Sequence, residues 1–199
     1  MYGVTLGRRK GCKRSRFKSP TFTSKYTVLH LAAVKGAKEV VSRALDAGAD
    51  IDAVETSYNQ TPINIAASKG HWDIVQELIS RGANLDILEN KHQDSVLHFA
   101  VRQGKLDIVK ELLCHNVTID VINKENQTPL YLSALENHWD VFFELINHGA
   151  DIDLADGESK ILELAEAAGQ LDALKKVLVI EKEKMNELND RALSNYLIN

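Results

Sequence analysis

Several things are scarce in this 199-residue chain, and each scarcity removes a class of answer. Cys12 and Cys114 are the two cysteines, which supply neither a disulfide framework nor a metal-binding spacing and favour a reducing, intracellular compartment, cytoplasmic or nuclear. Aromatic residues make up 6% of the chain, so a core must be assembled from many small aliphatic contacts. No apolar run approaches the roughly eighteen residues that a membrane helix needs, which argues against a membrane partner. No H-E-x-x-H, paired C-x-x-C, G-x-S-x-G or G-x-x-x-x-G-K-[ST] pattern occurs, and the seven histidines are scattered. The glycines near the start follow no strand and open no helix, so they form no phosphate loop. These absences predict a chain with no catalytic residues, no metal and no cofactor.

Acidic residues are absent from one part only. Residues 1–26 carry Arg8, Arg9, Lys10, Lys13, Arg14, Arg16, Lys18 and Lys25 with no acid, a charge of +8. The rest of the chain has 16 basic and 28 acidic residues, a charge of −12. The sequence is thus a basic arm on an acidic body. The arm shows no helical periodicity and contains Gly3, Gly7, Gly11 and Pro20, which predicts mobility. Four readings of it stay open: a solvated tail, a nuclear-import-like cluster over Arg8–Arg16, an organelle transit peptide, or a nucleic-acid-binding arm. The last is the weaker partner reading, because Phe17 and Phe22 are the only aromatics beside most of the charge.

What is present is a repeat. The stretch T-P-I-N-I-A-A-S-K-G-H-W-D-I-V-Q-E-L-I-S-R-G-A-N-L-D at Thr61–Asp86 recurs with drift from Thr27, Ser95, Thr128 and Lys160, at steps of 34, 34, 33 and 32 residues. One unit is legible from elementary rules. Thr61 caps a helix and Pro62 takes its first position, where a missing N–H costs nothing. Ile63, Ile65, Ala66 and Ala67 make a short helix with a small-residue side. Gly70 ends it, and Asp73 opens a second helix at the end that favours an anion. Ile74, Val75, Leu78 and Ile79 form the apolar stripe of that helix, and Gly82 closes it. Such a unit cannot bury both apolar faces alone and must stack.

In period and motif the chain resembles the ankyrin-repeat family over about four-fifths of its length. The resemblance implies an all-α solenoid of five helix-turn-helix repeats with short hairpin loops: residues 27–60, 61–94, 95–127, 128–159 and 160–184. Residues 1–26 are then a flexible arm and 185–199 a C-terminal helix or capping extension. Asn116 stands where Gly48, Gly82 and Gly149 stand in their repeats, and asparagine tolerates the left-handed backbone expected there. Asn137 fills the inter-helix glycine slot. The fifth unit departs most. Lys160 replaces the capping Thr, and Glu181, Lys182 and Lys184 predict that its second helix continues as a polar cap. His30 and His98 occupy a slot whose ring, by resemblance, joins a hydrogen-bond network with the capping hydroxyl. Asp52, Asp86, Asp120 and Asp153 replace an asparagine that hydroxylases modify in many members, so that modification is not carried over. Trp72 and Trp139 are expected to be half-buried.

The resemblance also implies a monomeric, non-catalytic scaffold that binds a protein partner through hairpin tips and the concave face of the inner helices. The tips are Glu55–Asn59, Glu89–Gln93, Asn123–Asn126 and Asp156–Glu158. Tyr58 and His92 are their ring-bearing residues and the expected anchors. Along the inner helices Lys35, Lys69 and Arg102 are expected to form a row of cations at equal repeat phase, followed by Leu135, Glu136 and Ala168. The expected partner-binding set is Lys35, Tyr58, Asn59, Lys69, His92, Arg102 and Glu125, facing an acidic segment of the partner. Alternatives remain a targeting or regulatory domain of a larger enzyme, a secreted bacterial effector, or nucleic-acid association through the arm.

Overall fold

The computed structural model describes residues 26–89, 91–154 and 157–179. The basic arm, the expected continuation past Glu181 and the extension at 185–199 lie outside the described residues. Within them the chain is helical, with no strand. The order is α1 (Val28–Lys35), α2 (Lys38–Asp46), α3 (Pro62–Lys69), α4 (Trp72–Ser80), α5 (Val96–Arg102), α6 (Leu106–Cys114), α7 (Pro129–Leu135), α8 (Trp139–Asn147) and α9 (Gly157–Ala167). Residues 171–179 are also helical and form α10.

Each pair starts at the residue its sequence marks. Thr27, Thr61, Ser95 and Thr128 have extended backbones, and each side chain accepts the amide three residues on. Each first helix packs on its own second helix and on the first helix of the next repeat: α1 on α2 and α3, α3 on α4 and α5, and so on to α9. The core between them is continuous and aliphatic. Leu29, Ile63, Leu97 and Leu130 at one phase are at most 2% exposed, as are Val41, Val75, Val109 and Phe142 at another. Burying such a side chain is worth about 1.5–3 kcal/mol, and the stack repeats that gain in every unit.

Two kinds of backbone irregularity serve the stacking. Gly82 (φ 81°) and Asn116 (φ 55°) both end second helices in the left-handed region, so the asparagine does what its position requires. Gly104 answers a different demand. A Cβ there would lie 2.6 Å from the His138 ring of the next repeat, so only glycine lets that ring close on the turn.

The fifth unit differs from expectation at its start. The sequence pattern puts the last tip at Asp156–Glu158, but α9 already runs from Gly157 and is eleven residues long, against seven or eight for α1, α3, α5 and α7. Lys160 has no side-chain acceptor with which to arrest the helix at the usual phase. Trp139 also departs from the half-buried expectation: at 8% exposure it is buried against Phe142 and Phe143, whereas Trp72 is half-buried as expected.

Candidate functional site

The loops between repeats are held by buried polar groups. In the first, the Glu55 amide donates to the Gln60 carbonyl at 3.0 Å, and the Glu55 carboxylate turns back to accept the Ser57 and Tyr58 amides. The second repeats this with Glu89, whose carboxylate accepts the Lys91 and His92 amides. In the third, Asn123 Oδ1 accepts from Glu125 and Gln127 at 3.0 and 2.9 Å. Burial by itself would push the Glu55 carboxyl up, but the donated amides outweigh it and hold it below the ordinary carboxylate value. Glu55 and Glu89 therefore belong to the tips in sequence yet are 1% and 2% exposed, and they anchor the loops from inside. Asn59, Gln93 and Asn126 follow with φ of 54°, 59° and 58°. Asn59 thus serves the turn geometry first.

His30 and His98 seal each loop to the helix behind it. His30 Nδ1 lies 2.7 Å from the Thr27 hydroxyl and 3.1 Å from the Thr27 amide, while Nε2 lies 3.0 Å from the Gln60 carbonyl. His98 repeats the arrangement with Ser95 and Gln127. The carbonyl requires a proton on Nε2, which leaves Nδ1 as the acceptor of a neutral ring. Burial lowers the pKa of both, against the opposing pull of the carbonyl contacts and of Glu55 or Asp94. At the tops of the loops, Asp52, Asp86 and Asp120 each accept an amide of the next repeat, from Asn84 (2.8 Å), Thr118 (3.0 Å) and Asp151 (3.0 Å). The recurring aspartates are inter-repeat latches.

On this scaffold the expected partner-binding residues separate into two groups. Lys35 and Lys69 end α1 and α3, where a cation also suits the helix dipole. Both are exposed, and neither is in an ion pair among the described residues. Tyr58 is 47% exposed at the first tip. Tyr58 and Lys69 line one open cavity of about 380 Å³, with Tyr26, Val34, Ile65 and Lys91 among its walls. Lys91, outside the expected set, belongs to the second tip, and its signal in the sequence is its place directly before His92.

The other group is already engaged. Arg102 does not extend the lysine row. The residue at equal phase with Lys35 and Lys69 is Gln103, which lies flat, donating to the Ala67 carbonyl at 3.1 Å and accepting from Trp72 Nε1 at 3.1 Å. One residue is about 100° of helix, enough to turn Arg102 toward Asp94, which it meets at 3.0 Å. Asp94 is 1% exposed and also accepts from Asn123 Nδ2 at 3.0 Å, so Arg102 compensates a buried charge. His92 and Glu125 pair with each other across neighbouring tips at 3.0 Å.

A family model for ankyrin repeats matches the chain in three overlapping copies, over residues 9–89, 75–156 and 97–190. No curated protein matches the sequence.

Proposed function

The chain belongs to the ankyrin-repeat family, whose repeats are generally protein–protein interaction modules, and on that premise we propose that it is a non-catalytic scaffold gripping a protein partner over its first two repeats. The observation that carries this reading is the cavity between the first and second tips. Tyr26, Tyr58, Val34 and Ile65 give it apolar walls, and Lys69 and Lys91 stand in those walls without ion pairs among the described residues, with Lys35 at the end of α1 beside Val34. Cations of this kind steer an acidic segment and set its register, while a tyrosine held on a rigid tip supplies contact area at little entropic cost. The surface fits an acidic stretch with one apolar or aromatic anchor residue.

The test is affinity capture with the native chain and with Lys35→Glu/Lys69→Glu/Lys91→Glu, at several salt concentrations. The triple reversal should weaken capture and flatten its salt dependence with the circular dichroism unchanged. Tyr58→Ala should mainly raise the dissociation rate. Capture of the same partners at the same strength by the triple variant would refute this surface.

A further inference from the structure

The first repeat leaves apolar side chains in the open at phases that the later repeats bury or half-bury. Val28 and Leu31 on α1 and Val40 on α2 are 60%, 53% and 44% exposed. Of their counterparts, Val96, Ile65, Leu132, Ile74, Ile108 and Val141 are at most 6% exposed, and Phe99 is half-buried. The residues at these phases are apolar throughout; what the first repeat lacks, among the described residues, is a neighbour on that side. An apolar face of this size invites cover.

The cover is written upstream in the same phase. Phe17 precedes Ile51 by 34 residues, and continuing at the repeat step reaches Leu85, Ile119 and Ile152, all of which pack against the core. Ser15 holds the phase of Ala49 and Ala83. Lys18 holds the phase of the latch residues Asp52, Asp86 and Asp120. Those carboxylates each bind the amide of a residue at one phase: Asn84, Thr118 and Asp151. In the first repeat that phase is Asp50, whose carboxylate is exposed and offers a lysine what the later amides offer an aspartate. The family model independently takes up the chain at residue 9, well before the first cap at Thr27.

We infer that residues 1–25 dock on the open side of the first repeat as an incomplete repeat, with Phe17 beside Ile51 and Lys18 paired to Asp50. The opposite charges of arm and body, +8 against −12, favour the approach. The eight residues ahead of the matched stretch include Tyr2, Val4 and Leu6 and reach up to roughly 26 Å, enough to cross two helices packed about 10 Å apart.

The full chain carries its own probe site. A nitroxide on Cys12, with Cys114→Ser in the same molecule, should broaden amides of α1, α2 and residues 49–53 at least about fivefold more than those of α7 and α8, the steep distance dependence of a docked label. Lys18→Glu should cut that contrast and speed amide exchange in α1 and α2 about tenfold, the equivalent of about 1.4 kcal/mol. The swap Lys18→Glu/Asp50→Lys should restore both. Even or absent broadening overturns the proposal, and so does failure of the swap to restore it. Broadening that appears only between molecules, with a concentration-dependent dimer in sedimentation, assigns the face to a second copy and equally overturns it.

Discussion

Acidification from pH 7.5 to 5.5 should loosen this protein through His30 and His98. Unfolded, each ring titrates near its ordinary value of 6.5; folded, burial holds each pKa lower. Between the two values the unfolded chain binds more protons, so stability is complete above 6.5 and is lost as the pH falls below it. Geometry supplies the reason. A second proton on His30 Nδ1 would face the Thr27 amide at 3.1 Å, a donor against a donor, and would remove the acceptor of the Thr27 hydroxyl. The ceiling is about 1.4 kcal/mol per histidine for each pH unit, so the pair forfeits up to about 3 kcal/mol over the first unit below 6.5. For a domain of this size that is roughly 6–10 °C in the unfolding midpoint. The Glu55 carboxyl is held below its ordinary value of 4.5, so its contribution is lost only at lower pH and leaves this window to the histidines. The control is already present in the second repeat, where Asn64 fills the same slot and reaches the Ile87 carbonyl at 2.8 Å. His30→Asn/His98→Asn should be less stable at pH 7.5, by about 1–3 kcal/mol, because Asn64 itself leaves a buried Oδ1 without a partner. Its pH dependence across the window should be much flatter. Urea unfolding at pH 7.5, 6.5 and 5.5 measures both. Equal losses in native chain and variant, or no loss in either, would refute the reasoning.

Three further outcomes can be read by thermal or urea unfolding. Asn116→Gly should stabilise by roughly 0.5–1 kcal/mol and Gly82→Val should destabilise by about 1–2 kcal/mol or more, since nothing crowds Gly82 and the backbone alone resists a β-branched residue. Two neutral results would mean that the left-handed slot carries no strain. Arg102→Ala should cost about 3 kcal/mol by leaving the Asp94 carboxylate buried without its cation, whereas Lys69→Ala should stay within about 0.5 kcal/mol. Similar costs would put Arg102 back among the free cations. Gly104→Ala should destabilise by more than about 1 kcal/mol, because the added carbon meets the His138 ring and φ is 60°. Its companion His138→Ala should relieve part of that cost, and an additive pair would show that the ring is not the obstacle.

The repeat period, the capping Thr and Ser residues, the apolar phases and the left-handed slots were legible in the amino-acid order because each is a local rule. A cap, a turn or a helical stripe is decided within about five residues, and a period multiplies the signal. The histidine network was readable through the resemblance, and the structure shows its atoms. What tertiary structure decided are the contacts that join one repeat to the next. Arg102 and Lys69 look alike as cations ending inner helices, yet the buried Asp94 eight residues before Arg102 claims only one of them. Glu55 and Glu89 sit in polar tips and still are buried, because their carboxylates satisfy the amides of their own loops. Val28, Leu31 and Val40 share phases with buried residues of later repeats and yet lie open, since burial belongs to the neighbour a residue meets rather than to its type. Phase along the chain says which residues align; the physical reason it cannot say which are free is that engagement depends on where a side chain turns, whether back into its own loop as Glu55 does, across the repeat boundary as Arg102 does, or to a partner about 30 residues away as His30 and Asn123 do.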